Sequence, residues 1–291
     1  MNEKTILVIG ATGRTGGAAL RHLRQRGWQV RAMTRTPDSD SAQALRAQGV
    51  PIVQGNMDDP DSLRAAFEGV YGVFLVVNGW EAGYEGEIRQ GKHVADVAAE
   101  MGIQHVVFSV AGTGERNTGI PHFESKLTII DYMRERQLPL TVIYPGPYME
   151  LLTDEAFFPQ VTVWHAKARV LGTDYRVPWT ATDDIGLVAA EAFDHPAEYL
   201  GKQITVIGDW KTLDEVRQIY REVTGANPRR WFMPLWLYRR MQPDLMKMWE
   251  WMHTHDMKQV GDQEGMTVFA GPTDIRTFLI RHFEPALQPS S

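Results

Sequence analysis

The sequence contains no cysteine among its 291 residues. Disulfide bonds, cysteine nucleophiles and zinc–thiolate sites are therefore excluded, and a reducing compartment fits this composition. The sequence also has no apolar run near the about 20 residues of a membrane-spanning helix, and its start lacks the charged and apolar regions of a secretory signal. These absences predict a soluble cytoplasmic protein that is not bound to a membrane.

An excess of positive charge is also lacking. Lys and Arg number 30 against 36 Asp and Glu, which gives a formal net charge of −6. A broad basic surface for nucleic acid is not expected from this balance. Hydrophobic residues make up 43% and charged residues 23% of the chain, which is typical of a globular protein with a large core.

The first half of the sequence alternates short apolar runs with segments of helical spacing. The predicted strands are Thr5–Ile9, Gln29–Met33, Pro51–Gln54, Gly72–Val76, His105–Phe108 and Leu140–Ile143. The predicted helices between them are Gly16–Gln25, Ala42–Gln48, Asp61–Phe67, Glu87–Met101 and Phe123–Arg136. Strands of nearly continuous Val, Ile and Leu that alternate with helices predict an α/β fold, a Rossmann-like, doubly wound parallel sheet.

The alternation ends after Pro145. Gln160–Val163 and Arg169–Leu171 are predicted to form a hairpin, and a helix is predicted to begin at Thr182. The strand that follows, Gln203–Ile207, is a candidate to return to the main sheet.

Helical sequence then dominates from Thr212, where Glu215 three residues later predicts a capping box. The predicted division is a nucleotide-binding domain over 1–150, completed by 181–209. The remaining segments, 151–180 and 210–291, form a smaller, mostly α-helical substrate or partner region.

A glycine cluster, GATGRTGG, directly follows the first predicted strand. Its spacing is Gly10-x-x-Gly13-x-x-Gly16, which departs from the commoner G-x-G-x-x-G pattern. A tight turn and a helix N-terminus with unpaired N–H groups are what a pyrophosphate requires at such a place. The hydroxyl of Thr12 can add a phosphate contact, so this loop predicts a dinucleotide site.

The second predicted strand leads into Arg35, at the point where an adenosine ribose is read. An NAD-binding protein usually has Asp or Glu there, whereas a guanidinium favours a 2′-phosphate. Arg14, inside the glycine loop, is a second candidate for the same phosphate. The two arginines predict NADP(H) rather than NAD(H) as cofactor.

Further motifs follow the later strands: GNMDD (55–59), VVNGWE (76–81), HFESK (122–126) and YPGPYMELL (144–152). By position, Asn56 and Asp58 are candidates to meet adenine, and VVNGWE borders the cofactor crevice. Together with GATGRTGG, these motifs resemble the NmrA-like family, atypical members of the short-chain dehydrogenase/reductase superfamily. The resemblance covers most of the chain and is strongest from Lys4 to Leu152.

The resemblance implies NADP(H) bound by a Rossmann-like domain, with a smaller C-terminal part closing over the cofactor. It implies that Gly10, Thr12, Gly13, Arg14, Thr15 and Gly16 hold the pyrophosphate. It implies that Arg35 holds the 2′-phosphate, Asp58 the adenine side, Asn78 the border of the cofactor and Lys126 the nicotinamide ribose. Tyr148, Met149 and Glu150 are implied beside the nicotinamide. Many family members carry Gln where this chain has Thr15, which is a departure.

The catalytic residues of typical short-chain dehydrogenases are Tyr-x-x-x-Lys and a Ser. Here His122 and Lys126 stand four residues apart, so His122 takes the tyrosine-like position and Ser109 the serine-like one. Imidazole is a competent general acid near neutral pH. Alternatively, His122 caps the helix near Phe123, Ser109 is a structural hydroxyl, and Tyr144 or Tyr148 donates the proton.

The last part of the sequence is rich in Trp and Met. From residue 231 onward it contains Trp231, Trp236, Trp249, Trp251, Met233, Met241, Met246, Met248, Met252, Met257 and Met266. Three interpretations stay open: an apolar substrate pocket, an adaptable docking surface for a protein partner, and core packing. The motif HTHD (253–256) does not predict a metal site, because alternate residues share a face only in a strand.

Two functions follow from these observations. The first is an NADPH-dependent oxidoreductase acting on a small electrophilic substrate, apolar or aromatic, such as a carbonyl, quinone, imine or activated alkene. The second is a non-catalytic NADP(H) sensor that regulates a protein partner. A homodimer is compatible with both hypotheses.

Overall fold

A computed structural model describes residues 2–154, 162–229, 232–255 and 266–287. The strands are β1 Asn2–Ile9, β2 Trp28–Thr34, β3 Ile52–Gln54, β4 Val70–Leu75, β5 His105–Ser109, β6 Leu140–Pro145, β7 Arg176–Trp179, β8 Gln203–Ile207, β9 Asp209–Thr212 and β10 Met266–Ala270. The helices are α1 Arg14–Gln25, α2 Asp40–Ala47, α3 Pro60–Phe67, α4 Gly79–Glu100, α5 Pro121–Glu135, α6 Ala168–Leu171, α7 Thr182–Asp194, α8 Pro196–Tyr199, α9 Leu213–Thr224, α10 Leu235–Met241, α11 Pro243–Thr254 and α12 Ile275–Leu287.

Eight strands of the described residues form one sheet in the order β10-β8-β6-β5-β4-β1-β2-β3. The central pairs from β3 to β6 are parallel; Val8 in β1, for example, pairs with Ala32 on one side and Phe74 on the other. The predicted Rossmann-like sheet is confirmed, and Gln203–Ile207 returns to it as expected. The order reverses at β1, because β2 lies on one side of that strand and β4 on the other. In open α/β sheets a ligand binds at such a switch point, beyond the carboxyl ends of the strands.

Polar side chains cap several of the helix starts. Ser39 caps α2, and Asp59 caps α3 ahead of a proline at the first helical position. Thr212 and Glu215 form the predicted capping box of α9. These contacts satisfy N–H groups that a helix start otherwise leaves unpaired.

The chain divides into two compact units. Within the described residues, the first unit comprises residues 2–144, 185–205 and 266–267, and the second comprises 145–154, 162–184, 206–229, 232–255 and 268–287. The core of the first unit lies around the sheet and includes the buried side chains of Leu7, Val73, Phe108, Ile130 and Val142. Apolar residues fill both sheet faces, which explains why its strands lack polar alternation.

The predicted hairpin in the second unit is wrong where the structure describes it. Thr162–Lys167 form a π-helix that continues directly into α6, while residues 160 and 161 lie outside the described part of the chain. Val163, Trp164 and Leu171 are all buried in the core of the second unit. Such burial removes the one-sided helical pattern, so the short apolar runs mimic strands.

The Trp- and Met-rich segment contributes mainly to the core of the second unit. Trp249, Met246 and Met252 are buried, and the ring of Trp249 stacks on Tyr238 with centroids 5.6 Å apart. Trp236 and Met241, in contrast, are exposed at the surface of α10. Trp231 and Met257 lie outside the described residues. Core packing thus accounts for part of the enrichment, whereas Trp236 and Met241 need another explanation.

In the part of the chain that the structure describes, no helix is both long enough and apolar enough to cross a membrane.

Candidate functional site

The glycine loop connects β1 to α1 through a turn that other residues would strain. Gly10 has a φ of 84°, in the left-handed region that favours glycine. A Cβ at Gly16 would lie 2.2 Å from the carbonyl oxygen of Gly10, so the helix start passes directly against the turn. The N–H of Gly13 donates to the same carbonyl over 2.9 Å. The N-cap of α1 is Gly13, so no side chain of the N-cap residue occupies the start of this helix.

The loop lies at the switch point of the sheet. Gly10 follows β1, and a Cβ placed on it would be in van der Waals contact with Val76, the residue after β4. Thr12 and Arg14 are exposed, whereas Thr15 is buried. The burial of Thr15 agrees with a packing role and does not favour a phosphate contact by its side chain.

Arg35 follows β2 and forms an ion pair that the sequence did not reveal. Its Nη2 lies 2.6 Å from Oε2 of Glu81, in the first turn of α4. Both side chains are exposed. Arg35 is thus available at the surface beside the carboxyl end of the sheet, with a carboxylate as its present partner.

Asp58 lies in the turn after β3 and is held by two side chains of α4. Its Oδ1 accepts bonds from Arg89, and its Oδ2 accepts one from Gln90 over 2.7 Å. The hydrogen bond from Gln90, followed by the bonds from Arg89, lowers the pKa of Asp58. Asn56 shapes the same turn by accepting from the N–H of Asp58. The turn is therefore pre-ordered by contacts within the protein.

Asn78 caps α4, because its side chain accepts from the N–H of Trp80. The helix is interrupted at Gly83, whose φ of 72° and ψ of 173° are not helical. One turn with Trp80 and Glu81 therefore precedes the longer part of α4. The ring of Trp80 lies 5.7 Å from that of His122, although Trp80 itself is largely exposed.

Lys126 is buried on α5 and is paired with Glu87 on α4. Its Nζ donates to Oε1 of Glu87 over 2.6 Å, and Ser125 donates to the other oxygen of the same carboxylate. Only 6% of the Lys126 side chain and 1% of the Glu87 side chain are exposed. Burial lowers the pKa of Lys126, and the charge and hydrogen bond of Glu87 oppose that shift. Glu87 thus stabilises an ammonium group in a place that water hardly reaches.

His122 lies inside the first turn of α5, because Pro121 is the first helical residue and Ile120 is the N-cap. The alternative that His122 caps this helix is therefore wrong. Its carbonyl oxygen accepts a bond from Lys126 over 3.3 Å, as expected for residues four apart. Ser109 is buried at the end of β5. The structure agrees with either role of Ser109.

The two tyrosines lie in different units. Tyr144 is buried in the first unit, where its hydroxyl donates to Gln203 over 3.1 Å and burial raises its pKa to about 12. This hydrogen bond and this pKa weaken Tyr144 as a proton donor. Tyr148 is half-buried in the second unit and precedes a 3₁₀ turn formed by Met149–Leu152.

Glu150 lies in that 3₁₀ turn, where its Oε1 accepts from both the N–H and the hydroxyl of Thr182 at the start of α7. This contact gives Glu150 a structural role within the second unit. The predicted places of Tyr148 and Glu150 beside a nicotinamide stay predictions.

Three charged partners of the predicted site residues were not predicted from the sequence. Glu81 pairs with Arg35, Glu87 with Lys126, and Arg89 with Asp58. Glu87 had a signal, because helical spacing places it on the same face as the apolar residues Val94 and Ala98. A charged residue on an apolar helix face needs a buried partner. Glu81 and Arg89 occupy exposed positions, where a charged residue needs no buried partner and therefore carries no such signal.

The histidines of HTHD make contacts of their own within the second unit. Nδ1 of His253 lies 3.2 Å from the carbonyl of Leu171, and the ring of His255 stacks on Trp251. No set of three metal-binding side chains converges among the described residues, and Asp256 lies outside them.

The first unit can thus supply a glycine turn at a helix N-terminus, an exposed guanidinium, and a buried ammonium on α5. Gly10, Gly13 and Gly16 allow the tight turn and the close backbone approach that a dinucleotide pyrophosphate needs. The residues present therefore fit a dinucleotide cofactor.

Curated relatives cover most of the chain. FrzB from Cladobotryum sp, an NmrA-like family domain-containing oxidoreductase, is 30% identical over 303 residues, which span 94% of this chain and 85% of that protein. The similarly named oxidoreductase hkm9 from Aspergillus hancockii is 32% identical over 254 residues, 80% of this chain and 75% of its own.

Solved structures share the fold at lower identity. NmrA, a negative transcriptional regulator, crystallised with NADP, has a TM-score of 0.74 at 20% identity over 99% of both chains; a structure of NmrA with NAD gives 0.75 at 20% identity over 99% of both. Triphenylmethane reductase from Citrobacter sp., complexed with NADP(H), has a TM-score of 0.72 at 19% identity, over 95% of this chain and 99% of its own.

A model of the NmrA-like family matches residues 2–279, nearly the whole sequence. With the relatives above, this match confirms the resemblance drawn from the glycine loop and the motifs that follow the later strands. The chain belongs to the NmrA-like family.

Proposed function

We propose that this protein is an NADPH-dependent oxidoreductase that reduces a small electrophilic substrate. The observation that carries the proposal is the glycine loop, where a Cβ at Gly16 would strike the Gly10 carbonyl at the switch point of the sheet. The names of the curated relatives, which are oxidoreductases, favour chemistry over sensing alone.

The proposed roles of the binding residues follow from their positions. The loop from Gly10 to Gly16 holds the pyrophosphate, with Thr12 and Arg14 exposed beside it. Arg35 recognises the 2′-phosphate, because its exposed guanidinium is suited to a dianion. Asn56, Asp58 and Asn78 border the adenosine and the crevice.

Lys126 is proposed to bind the nicotinamide ribose. An ammonium has three N–H donors, and two of them are directed to Glu87 and to the His122 carbonyl. Within the described residues the third donor has no hydrogen-bond partner, so it is proposed to bind a ribose hydroxyl. Glu87 keeps the ammonium charged and fixed, so that it orients the cofactor before the substrate arrives.

When bound, NADPH supplies a hydride to the substrate. The chain must then deliver a proton to the atom that gains negative charge, and His122 and Tyr148 are the two candidates for this step. Imidazole is suited to proton transfer near neutral pH. The substrate class, a carbonyl, quinone, imine or activated alkene of apolar or aromatic character, is part of this proposal.

Replacement of Arg35 tests the choice of cofactor. Arg35→Ala should weaken NADPH binding roughly tenfold to hundredfold, as for loss of a hydrogen bond to a charged group, and should change NADH binding much less. Calorimetric titration measures both dissociation constants. Arg64→Ala is the matched control, because Arg64 is also a surface arginine paired with carboxylates. Equal losses for NADPH and NADH would contradict the 2′-phosphate role.

Turnover tests the reaction itself. NADPH oxidation with a panel of carbonyls, quinones, imines and activated alkenes should be lost in Lys126→Ala, and His122→Phe should lower the rate if His122 donates the proton. A normal rate in His122→Phe together with a loss in Tyr148→Phe would assign the proton to Tyr148.

A non-catalytic NADP(H) sensor is the second candidate. The structural similarity to NmrA, a negative transcriptional regulator, is the observation that favours it. A sensor must bind the oxidised and reduced cofactors with different affinities or in different conformations. Tight, unequal binding of NADP⁺ and NADPH without turnover of any panel member would support this function over the reductase.

A further inference from the structure

The ion pair between Arg35 and Glu81 connects the segment after β2 to the first turn of α4, at the carboxyl edge of the sheet. Nη2 of Arg35 and Oε2 of Glu81 are 2.6 Å apart, although the residues are 46 positions apart in the chain. Arg35 follows β2 and Glu81 follows β4, and these strands flank β1 on its two sides. The pair therefore reaches across the end of β1, from which the glycine loop emerges.

The turn that carries Glu81 is separated from the rest of α4. Gly83 interrupts the helix with a φ of 72°, and Asn78 caps the turn at its start. Trp80 and Glu81 both extend into solvent. Gly83 is the one residue of α4 whose backbone angles are not helical. Because glycine tolerates many backbone angles, this turn can change its direction without unfolding the longer part of α4.

We propose that Glu81 is a selectivity residue, which competes with the 2′-phosphate of NADP(H) for the guanidinium of Arg35. The proposal rests on the proposed function, in which Arg35 recognises that phosphate. Because Glu81 occupies Nη2 of Arg35 at 2.6 Å, a 2′-phosphate must displace the carboxylate to use the N–H groups of that nitrogen. NAD(H), which has a hydroxyl at this place, imposes no such displacement.

The consequence is a narrowed preference for NADP(H). Arg35 increases the affinity for the 2′-phosphate, and Glu81 lowers that affinity in part by competing for the guanidinium. An exposed ion pair contributes modestly, so the competition costs about a twofold to fivefold loss in NADPH affinity. The selectivity between NADP(H) and NAD(H) is then set by two residues, Arg35 after β2 and Glu81 in the first turn of α4.

A double-mutant cycle tests this competition. Dissociation constants for NADPH and NADH are measured by calorimetric titration for the wild type, Glu81→Gln, Arg35→Ala and the double variant, at low ionic strength. Glu81→Gln should tighten NADPH binding about twofold to fivefold and leave NADH binding unchanged. In the Arg35→Ala background, the additional change Glu81→Gln should leave NADPH binding unchanged. Higher salt should reduce the gain, because exposed charges are screened.

The matched control is Glu85→Gln, which removes a negative charge from an exposed position of the same helix. Equal tightening by Glu85→Gln would overturn the proposal, since a general charge effect would then suffice. An unchanged NADPH affinity in Glu81→Gln, or a gain that persists without Arg35, would overturn it as well. A normal NADPH affinity in Arg35→Ala would instead contradict the assigned role of Arg35, and the proposed selectivity with it.

Discussion

Two buried lysines, one in each unit, are accommodated in different ways. Lys126 in the first unit has the carboxylate of Glu87 at 2.6 Å. Lys167 in the second unit lies over the ring of Trp179, with its Nζ 4.5 Å from the centroid. Both side chains are nearly inaccessible to water, so each unit had to offset the same cost of burying a charge.

The difference shows what each unit requires of its lysine. Burial lowers the pKa of both groups, and Glu87 opposes the shift at Lys126. Lys167 has an aromatic face instead, and burial lowers its pKa to about 7. The first unit thus maintains a positive charge where a cofactor is proposed to bind, whereas the second unit holds an amine that loses its proton near neutral pH.

Removal of Glu87 should have the largest effect. Glu87→Ala leaves the Lys126 ammonium buried without its carboxylate, and the free energy of unfolding should fall by about 3–5 kcal/mol. Urea denaturation measures the change. Glu100→Gln is the control, because Glu100 pairs with Arg64 at the exposed surface, and it should cause no measurable loss.

A second variant separates the charge from the packing. Glu87→Leu combined with Lys126→Met removes both charges and keeps apolar volume, so stability should recover most of the loss in Glu87→Ala. If Glu87→Ala were no less stable than Glu100→Gln, Glu87 would not be what stabilises the buried ammonium group of Lys126.

The second prediction concerns pH. Lys167 has a folded pKa of about 7 against an ordinary value of 10.5. Between these values the unfolded chain binds the proton and the folded chain does not, so stability rises with pH across this window. Below about pH 7 both states are protonated, and the contribution of Lys167 no longer changes.

The size of this effect follows from the two pKa values of Lys167. Each pH unit inside the window changes stability by about 1.4 kcal/mol, and the whole pKa difference corresponds to about 5 kcal/mol. The wild type should therefore gain about 2–3 kcal/mol of stability between about pH 7 and about pH 9, and Lys167→Met should lack this gain. Chemical denaturation across this range measures it, with the exposed Lys202→Met as control. Parallel profiles for wild type and Lys167→Met would contradict the prediction.

The third and smallest effect concerns Ser125, which donates to the carboxylate of Glu87. Ser125→Ala removes this one bond and leaves the pair with Lys126 in place. The free energy of unfolding should fall by about 1–2 kcal/mol, as for a hydrogen bond to a charged group. Thermal and urea denaturation measure it against Ser41→Ala, an exposed position whose hydroxyl is 3.3 Å from that of Ser39, where a smaller loss is expected. A loss as large as that of Glu87→Ala would show that Ser125, rather than Lys126, dominates this cluster.

The strands and turns of the first unit could be predicted from the sequence because the signals for them act between residues that are close in the chain. Apolar runs such as Thr5–Ile9 and the glycines that follow them act through neighbouring backbone. The cap at Thr212 in the second unit was predicted for the same reason, because it acts within one turn. The hairpin over 160–171 failed because burial on every side hid the helical period of Thr162–Lys167.

The sequence by itself determined the parallel sheet, the glycine turn at its switch point and the family, because these depend on spacing and on backbone freedom. The tertiary structure alone decided the partners of the charged groups. Lys126 finds Glu87 across 39 positions and Arg35 finds Glu81 across 46. Such pairs form between elements that the fold brings together, and nothing in the local sequence around either partner specifies which charge it will meet.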